Sequence, residues 1–332
     1  MIRLVQLQRG EQRCVAVVQE PHVRVLQDFE SVYALARAAI AERTRLIPLI
    51  QKHATGEVLD YNAIYEGRSD WLLLSPVDHP EEPARCLVSG TGLTHLGSAK
   101  NRNAMHEAKE SELTDSMKMF RWGVEGGKPG AGKVGIAPEW FHKGCGTNLH
   151  AHGEPLVIPA HGEDGGEEGE IAGVYFIDAD GSPRRIGMAI GNEFSDHVFE
   201  KKNYLNLAGS KLRTCSLGPE LVIDPKFDSV PGEVSIERAG KTLWSQQVVS
   251  GEAEMCHSLA NIEHHHFKFA VHRRPGDVHV HYYGACALSF GAGVRLQDGD
   301  LMKVSFEGFG RTLLNPLRVE PGPGALVVAQ AL

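Results

Sequence analysis

From residue 123 onward glycine or proline recurs every few residues, and the segments between are short and β-like: "LVIPAHG", "IAGVYFID", "RIGMAIGNEF", "LVID", "VSIERAG", "TLWSQQVV", "DVHVHYYG" and "LMKVSFEGFG". Such punctuation interrupts helices and suits turns, so it predicts a sheet-rich region with many of them. Upstream the texture differs. Residues 2–26 alternate apolar and polar around Gly10 and Pro21, which predicts a short antiparallel meander. Ser31 can cap a helix through "VYALARAAIAERTRLIPLIQKH", whose apolar residues keep helical spacing until Pro48 disturbs them. A Pro-rich passage at residues 76–83 is the expected linker; it sets residues 1–80 apart as a small α+β domain from a catalytic domain over residues 85–330. Residues 100–121 lack Gly and Pro and carry many helix formers, which predicts one or two helices. The expected fold class is α+β.

A chain of 332 residues, 42% hydrophobic, can bury a large core. Its formal charge of −8 offers no basic stripe to replace phosphate counterions, so no nucleic-acid partner is expected. No run of about 18 apolar residues is present, and "MIRLVQLQRGEQRC" breaks into charge too early for a signal peptide. No membrane association and a cytoplasmic location are expected. The six cysteines lie far apart without a Cys-x-x-Cys pair and read as reduced thiols, mostly in the core.

Two motifs invite readings that their surroundings do not support. "GKPGAGK", Gly127 to Lys133, has the spacing of a phosphate-binding P-loop, but Val134 stands where Ser or Thr would hold Mg²⁺. Pro138 forbids the helix that such a loop requires, so the stretch reads as a Gly-rich loop. "HHH" at 264–266 and "HVH" at 279–281 suggest a zinc site. Adjacent side chains cannot converge on one ion from a helix or a strand, so a surface or partly buried turn is expected at 264–266.

The stretch "EEGEIAGVYF", residues 167–176, sets carboxylates directly against an apolar run that reads as a buried strand. On a strand Glu168 and Glu170 project to one face, and two parallel carboxylates need a shared cation. Glu193 follows another β-like stretch in "IGMAIGNEFSDHVFE", with Asp196 and His197 close behind. Three carboxylates on one side, with water or substrate on the other, suit a hard divalent ion. A solvated acidic turn fits the same spacing, and spacing alone leaves both readings open.

The ordered segments "PEWFHKG" (138–144), "EPLVIP" (154–159), "GEEGEIAGVY" (166–175), "GNEFSDHV" (191–198), "SKLRTCSLGPELV" (210–222), "PGDVHV" (275–280) and "LQDGDLMKVSFEGFG" (296–310) resemble the fumarylacetoacetate hydrolase superfamily over about residues 85–320. The resemblance implies a mixed β-roll or sandwich catalytic domain, a homodimer, and a divalent metal, Mg²⁺ or Mn²⁺ with Ca²⁺ as a substitute. Glu168, Glu170 and Glu193 take the ligand positions, and Asn192 and Ser195 keep their places in the motif. Several residues depart from the family pattern. Glu193 replaces the usual Asp, and His197 falls where Arg is usual. "HYYG" (281–284), with Tyr283, stands in place of a Thr-Gly-Thr-Pro turn. "SGTGLTHLGSAKNRNAMHE" (89–107), with His95 and His106, only loosely matches the motif whose His and Glu orient a water.

In such a family the metal polarises a 2-oxo acid and stabilises the enolate formed when C3 loses a proton or the C3–C4 bond breaks. The resemblance places Lys211 to supply positive charge, or to carry the proton if burial lowers its pKa; a surface lysine paired with Glu220 is the plain alternative. Lys143, Asn192 and Tyr283 are the substrate-binding candidates, and Lys211, His95 and His106 the catalytic ones. The expected reaction is dehydration of a 2-keto-3-deoxy sugar acid, in the superfamily branch tied to pentose-acid catabolism. Hydrolysis of a C–C bond in an acylpyruvate is the alternative, followed by a non-enzymatic 2-oxo-acid sensor.

Overall fold

The computed structural model describes residues 1–95 and 114–332. The alternating N-terminal residues form the antiparallel strands β1 (Ile2–Arg9), β2 (Gln12–Gln19) and β3 (His22–Val25). Ser31 caps the helix Val32–Ala41, its Oγ accepting from the Ala34 N–H at 3.1 Å. That helix ends before the sequence pattern does: Arg43 takes a φ of 52°, and a second helix runs Leu46–His53. Pro48 leaves the second helix intact because it lies in the first turn, where a missing N–H is no loss.

After β4 (Val58–Asp60) and β5 (Leu72–Leu73), the Pro-rich passage leads to β6 (Cys86–Thr91). Much of the helical stretch expected at 100–121 lies outside the described residues; the part within them belongs to a helix, Asp115–Gly126, capped by Thr114. The punctuated region then supplies β7 (Trp140–Cys145), β8 (Leu149–His150), β9 (Leu156–Ile158), β10 (Gly169–Ile177), β11 (Pro183–Asn192), β12 (Cys215–Leu217) and β13 (Leu221–Ile223). It continues with β14 (Val230–Arg238), β15 (Lys241–Ser250), β16 (Val278–Tyr282), β17 (Leu301–Phe306) and β18 (Leu313–Val319). "GKPGAGK" lies in irregular chain between the helix Asp115–Gly126 and β7.

These strands build two mixed sheets, which with the helices give the α+β class. A 13-stranded sheet runs β4-β3-β2-β1-β13-β11-β10-β16-β6-β7, with β5, β8 and β12 at its sides. A 5-stranded sheet runs β15-β14-β17-β18-β9. Residues 1–80 add their strands to the large sheet, where β1 pairs with β13 from Ile2↔Ile223 to Leu4↔Leu221. They also share a core with the later strands: Leu4, Val15, Leu35 and Ile50 pack in one cluster with Val88, Val174, Ile223 and Tyr282. A second core, with Ile171, Ile190, Val234, Val304 and Phe306, joins the two sheets.

The histidines at 264–266 form the end of a helix, Leu259–Phe267, rather than a turn. Helical spacing turns His264 to solvent and buries His266. Its Nε2 lies 2.9 Å from His279 Nδ1 on β16, and its ring stacks on His272 with centroids 4.6 Å apart. No helix among the described residues is long and apolar enough to cross a membrane.

Candidate metal centre

The centre forms where the hairpin β10–β11 opens. Gly169 pairs with Asn192 and Glu170 with Gly191, so the residues flanking the two strand ends are neighbours. Glycine is required at both pairs' tight side: a Cβ on Gly191 would lie 2.3 Å from the Tyr282 ring, and one on Gly169 2.6 Å from Val234. Beyond the last pair, Glu193 N–H donates to the Glu168 carbonyl at 2.9 Å. The Asn192 side-chain oxygen accepts from Glu168 N–H (3.1 Å) and Phe194 N–H (3.2 Å). Asn192 thus fixes backbone in this structure, rather than turning its amide toward a substrate. The result brings Glu168, Glu170 and Glu193 together, all buried, with one carboxylate oxygen of each within 4.8 Å of the others.

Two lysines and a histidine answer the charge. Lys211, at the end of the helix Leu207–Lys211, donates to Glu168 Oε1 at 2.6 Å, Glu193 Oε2 at 2.7 Å and Ser195 Oγ at 3.0 Å. Its Nζ also sits 4.6 Å from the centroid of the Phe141 ring. Lys143, on β7, lies 3.0 Å from Glu193 Oε1 and donates to the Phe194 carbonyl. His197 Nε2 is 3.0 Å from Glu168 Oε1. The pairing of Lys211 with Glu220 does not occur; Glu220 instead meets Arg3 at 3.0 Å.

The charges are not shared evenly. Burial lifts the Glu168 carboxyl, but Lys211 and His197 outweigh it and hold its pKa well below the ordinary value. Burial and then the neighbouring Glu193 and Glu168 push Glu170 well above it. Among the described residues Glu170 receives one hydrogen bond, from Gly284 N–H at 2.7 Å, and no ion pair. Burial and Glu168 raise Glu193 to about 6 against the pull of Lys143 and Lys211. Burial lowers Lys143. Burial also pulls on Lys211, but Glu168 and Glu193 raise it above its ordinary value, so the lowered pKa that would suit a free base is not found.

The remaining candidates stand further off. His95 is buried, with Nδ1 2.9 Å from Thr94 Oγ1 and Nε2 3.3 Å from Ser250 Oγ; burial lowers its pKa to about 4. It touches the centre indirectly, since Thr94 Oγ1 donates to the Tyr283 carbonyl at 2.6 Å, next to the Gly284 N–H that serves Glu170. The Tyr283 hydroxyl turns away from the carboxylates, 2.6 Å from Tyr175 Oη, which donates to Glu263 at 2.9 Å. Tyr282 is the tyrosine beside the centre, its hydroxyl on the Ser216 carbonyl at 2.7 Å. His106 lies outside the described residues. Gly284 was invisible beforehand, because a backbone N–H leaves no mark on a sequence; His197 was visible only as a departure from a motif.

No protein-family model matches the sequence, and no curated protein matches it. Solved structures do. A 2-keto-3-deoxy-D-arabinonate dehydratase complexed with magnesium and 2,5-dioxopentanoate is similar over 96% of this chain and 99% of its own, with a TM-score of 0.70 and 18% identity. Its apo form gives a TM-score of 0.71 at 19% identity. A 5-carboxymethyl-2-hydroxymuconate delta-isomerase from Mycobacterium smegmatis gives 0.58 at 17% identity, over 96% of this chain and 100% of its own. The chain shares the fold of these enzymes over nearly its whole length.

Proposed function

We propose that this chain is a divalent-metal-dependent enzyme acting on a 2-oxo acid, and that its reaction is the dehydration of a 2-keto-3-deoxy sugar acid. The observation that carries the reading is the buried Glu168–Glu170–Glu193 cluster, whose Glu170 has no basic partner among the described residues. Burying carboxylates in excess of their partners is costly, and hard oxygen donors in this number fit Mg²⁺ or Mn²⁺. The three glutamates would hold the ion. When bound it would polarise the substrate carbonyl and stabilise negative charge on its oxygen.

The chain's own residues supply the rest. Lys143 and Lys211 hold Glu193 from two sides and keep positive charge beside the substrate's carboxylate. Lys211, ion-paired to two glutamates, acts as a fixed cation, while Ser195 takes its third hydrogen bond. In the dehydration C3 loses its proton and C4 its hydroxyl, and we place the C3 base among the histidines of the 95–106 segment. Similarity to a dehydratase complexed with magnesium and 2,5-dioxopentanoate favours this reaction over C–C cleavage. A homodimer is part of the same proposal, and light scattering at micromolar concentration checks it.

The test is a panel of 2-keto-3-deoxy sugar acids and acylpyruvates incubated with protein and Mg²⁺ and read by mass spectrometry. Loss of one water from a sugar acid is expected. Addition of one water with cleavage of an acylpyruvate would replace the dehydratase by a hydrolase, and binding without turnover would leave a sensor.

A further inference from the structure

The metal reading leaves one buried group unused. His197 sits on the centre with its Nδ1 enclosed and, among the described residues, without a hydrogen-bond partner. Its ring is held between two surfaces. On one side is Gly166, so close that a Cβ there would lie 2.4 Å from Nδ1 and 2.6 Å from Cε1. Gly166 is itself pinned by a two-way bridge to Ser195, with N–H to carbonyl distances of 2.9 and 3.0 Å. On the other side is Phe290, its centroid 5.2 Å away. Phe290 rides on the turn Ser289–Ala292, which the buried Glu167 anchors by accepting from Ser289 N–H and Oγ, each at 2.7 Å. Glu167, the first acid of the cluster, thus serves the histidine's packing and is no ligand.

The clamp fixes what the imidazole does. Nδ1 is closed in, so Nε2–H is the donor that Glu168 receives, and it lands on Oε1, the same oxygen that takes Lys211. Among the described residues neither donor reaches Oε2. We infer that His197 is a positioning residue: wedged between Gly166 and Phe290, it holds Oε1 of Glu168 so that Oε2 alone faces the ion. The inference rests on the proposed metal reading and goes beyond it, because it concerns which ion is preferred. Single-oxygen ligation suits the strict octahedral geometry of Mg²⁺, whereas Ca²⁺ accepts a carboxylate through both oxygens.

The experiment is calorimetric titration of chelator-stripped protein with Mg²⁺ and, separately, Ca²⁺. Wild type is compared with His197→Gln, which keeps an N–H donor near the Nε2 position, with His197→Leu, and with Gly166→Ala, which displaces the ring without touching its chemistry. Losing a hydrogen bond that orients a metal ligand weakens binding by about 10–100-fold. That loss is expected for Mg²⁺ in the Leu and Ala variants, with a smaller change for Ca²⁺, so the Mg²⁺/Ca²⁺ preference falls; His197→Gln retains it. An unchanged preference in both His197→Leu and Gly166→Ala overturns the inference and leaves the metal reading standing. A wild type that binds neither ion overturns both.

Discussion

Glu220 and Glu170 are both buried carboxylates, and the chain surrounds them in opposite ways. Glu220 meets Arg3 at 3.0 Å, the Tyr61 hydroxyl at 2.9 Å and the Arg311 N–H at 3.1 Å. Gly310, with a φ of 90°, lets the backbone approach until a Cβ would stand 2.4 Å from the carboxyl carbon. Its donors come from three distant parts of the sequence, so this acid ties the fold together. Glu170 receives, among the described residues, a single N–H and faces two other carboxylates. Burial alone therefore does not mark a functional acid here. A shortage of donors does, because a structural acid left in that condition would cost stability with no return.

The largest effect expected of this contrast is on turnover. Lys211→Met should lower it by about a hundred- to thousand-fold, the range for removing a preorganised electrostatic stabiliser. Steady-state kinetics at saturating Mg²⁺ reads it, and unchanged turnover would make the centre's cation incidental. Next comes stability. Glu220→Gln should cost about 1.5–3 kcal/mol, the range for hydrogen bonds to a charged group, in urea unfolding with chelator present. Glu170→Gln under the same conditions should lose nothing or gain, since it removes a carboxylate that faces two others with one N–H among the described residues to answer it. Equal losses in the two variants would erase the distinction.

The smallest effect is a pair of opposed pH slopes. Glu193 titrates at about 6 in the folded protein against an ordinary 4.5, so on raising the pH through that window the unfolded chain releases its proton first. Metal-free protein should lose stability there, and Glu193→Gln should flatten the loss. His279 and His281 are lowered to about 3 from 6.5, chiefly by burial. As pH falls below 6.5 the unfolded chain takes up protons first, so stability declines toward acid, and His279→Phe should soften that decline. Urea midpoints between about pH 4 and 7 separate the two slopes.

What could be read beforehand follows from what repeats. Period-two alternation and Gly/Pro punctuation marked β1 to β3 and the later strands, since pleat and turn chemistry are local. Glu168 and Glu170 were legible for the same reason, being two apart on one strand. Glu193 could be picked out by its place after a second β-like stretch, but that it meets the other two, and that Lys143 joins them, came only through the order of motifs, because the register that sets Gly169 against Asn192 is not local. The hydroxyl of Tyr283, a substrate-binding candidate, reaches Tyr175, while that of its neighbour Tyr282 meets the Ser216 carbonyl, and the sequence marks neither partner. The break after Ala41 escaped notice because nothing but one left-handed residue marks it.

The pairing of β1 with β13 also orders events during synthesis. When residues 1–100 have left the ribosome, β1, β2 and β3 can zip together and β5 can cover β1 at Leu7 and Gln8, but the Ile2–Leu4 end of β1 still shows an open edge, for its neighbour there lies at Leu221–Ile223. The strand β6 waits longer, since its parallel partner is β16 at Val278–Tyr282. Pairings this distant form slowly and leave edges available to other chains meanwhile. A nascent chain stalled before residue 221 would therefore carry a ready-made edge at Ile2–Leu4 without the strand that covers it.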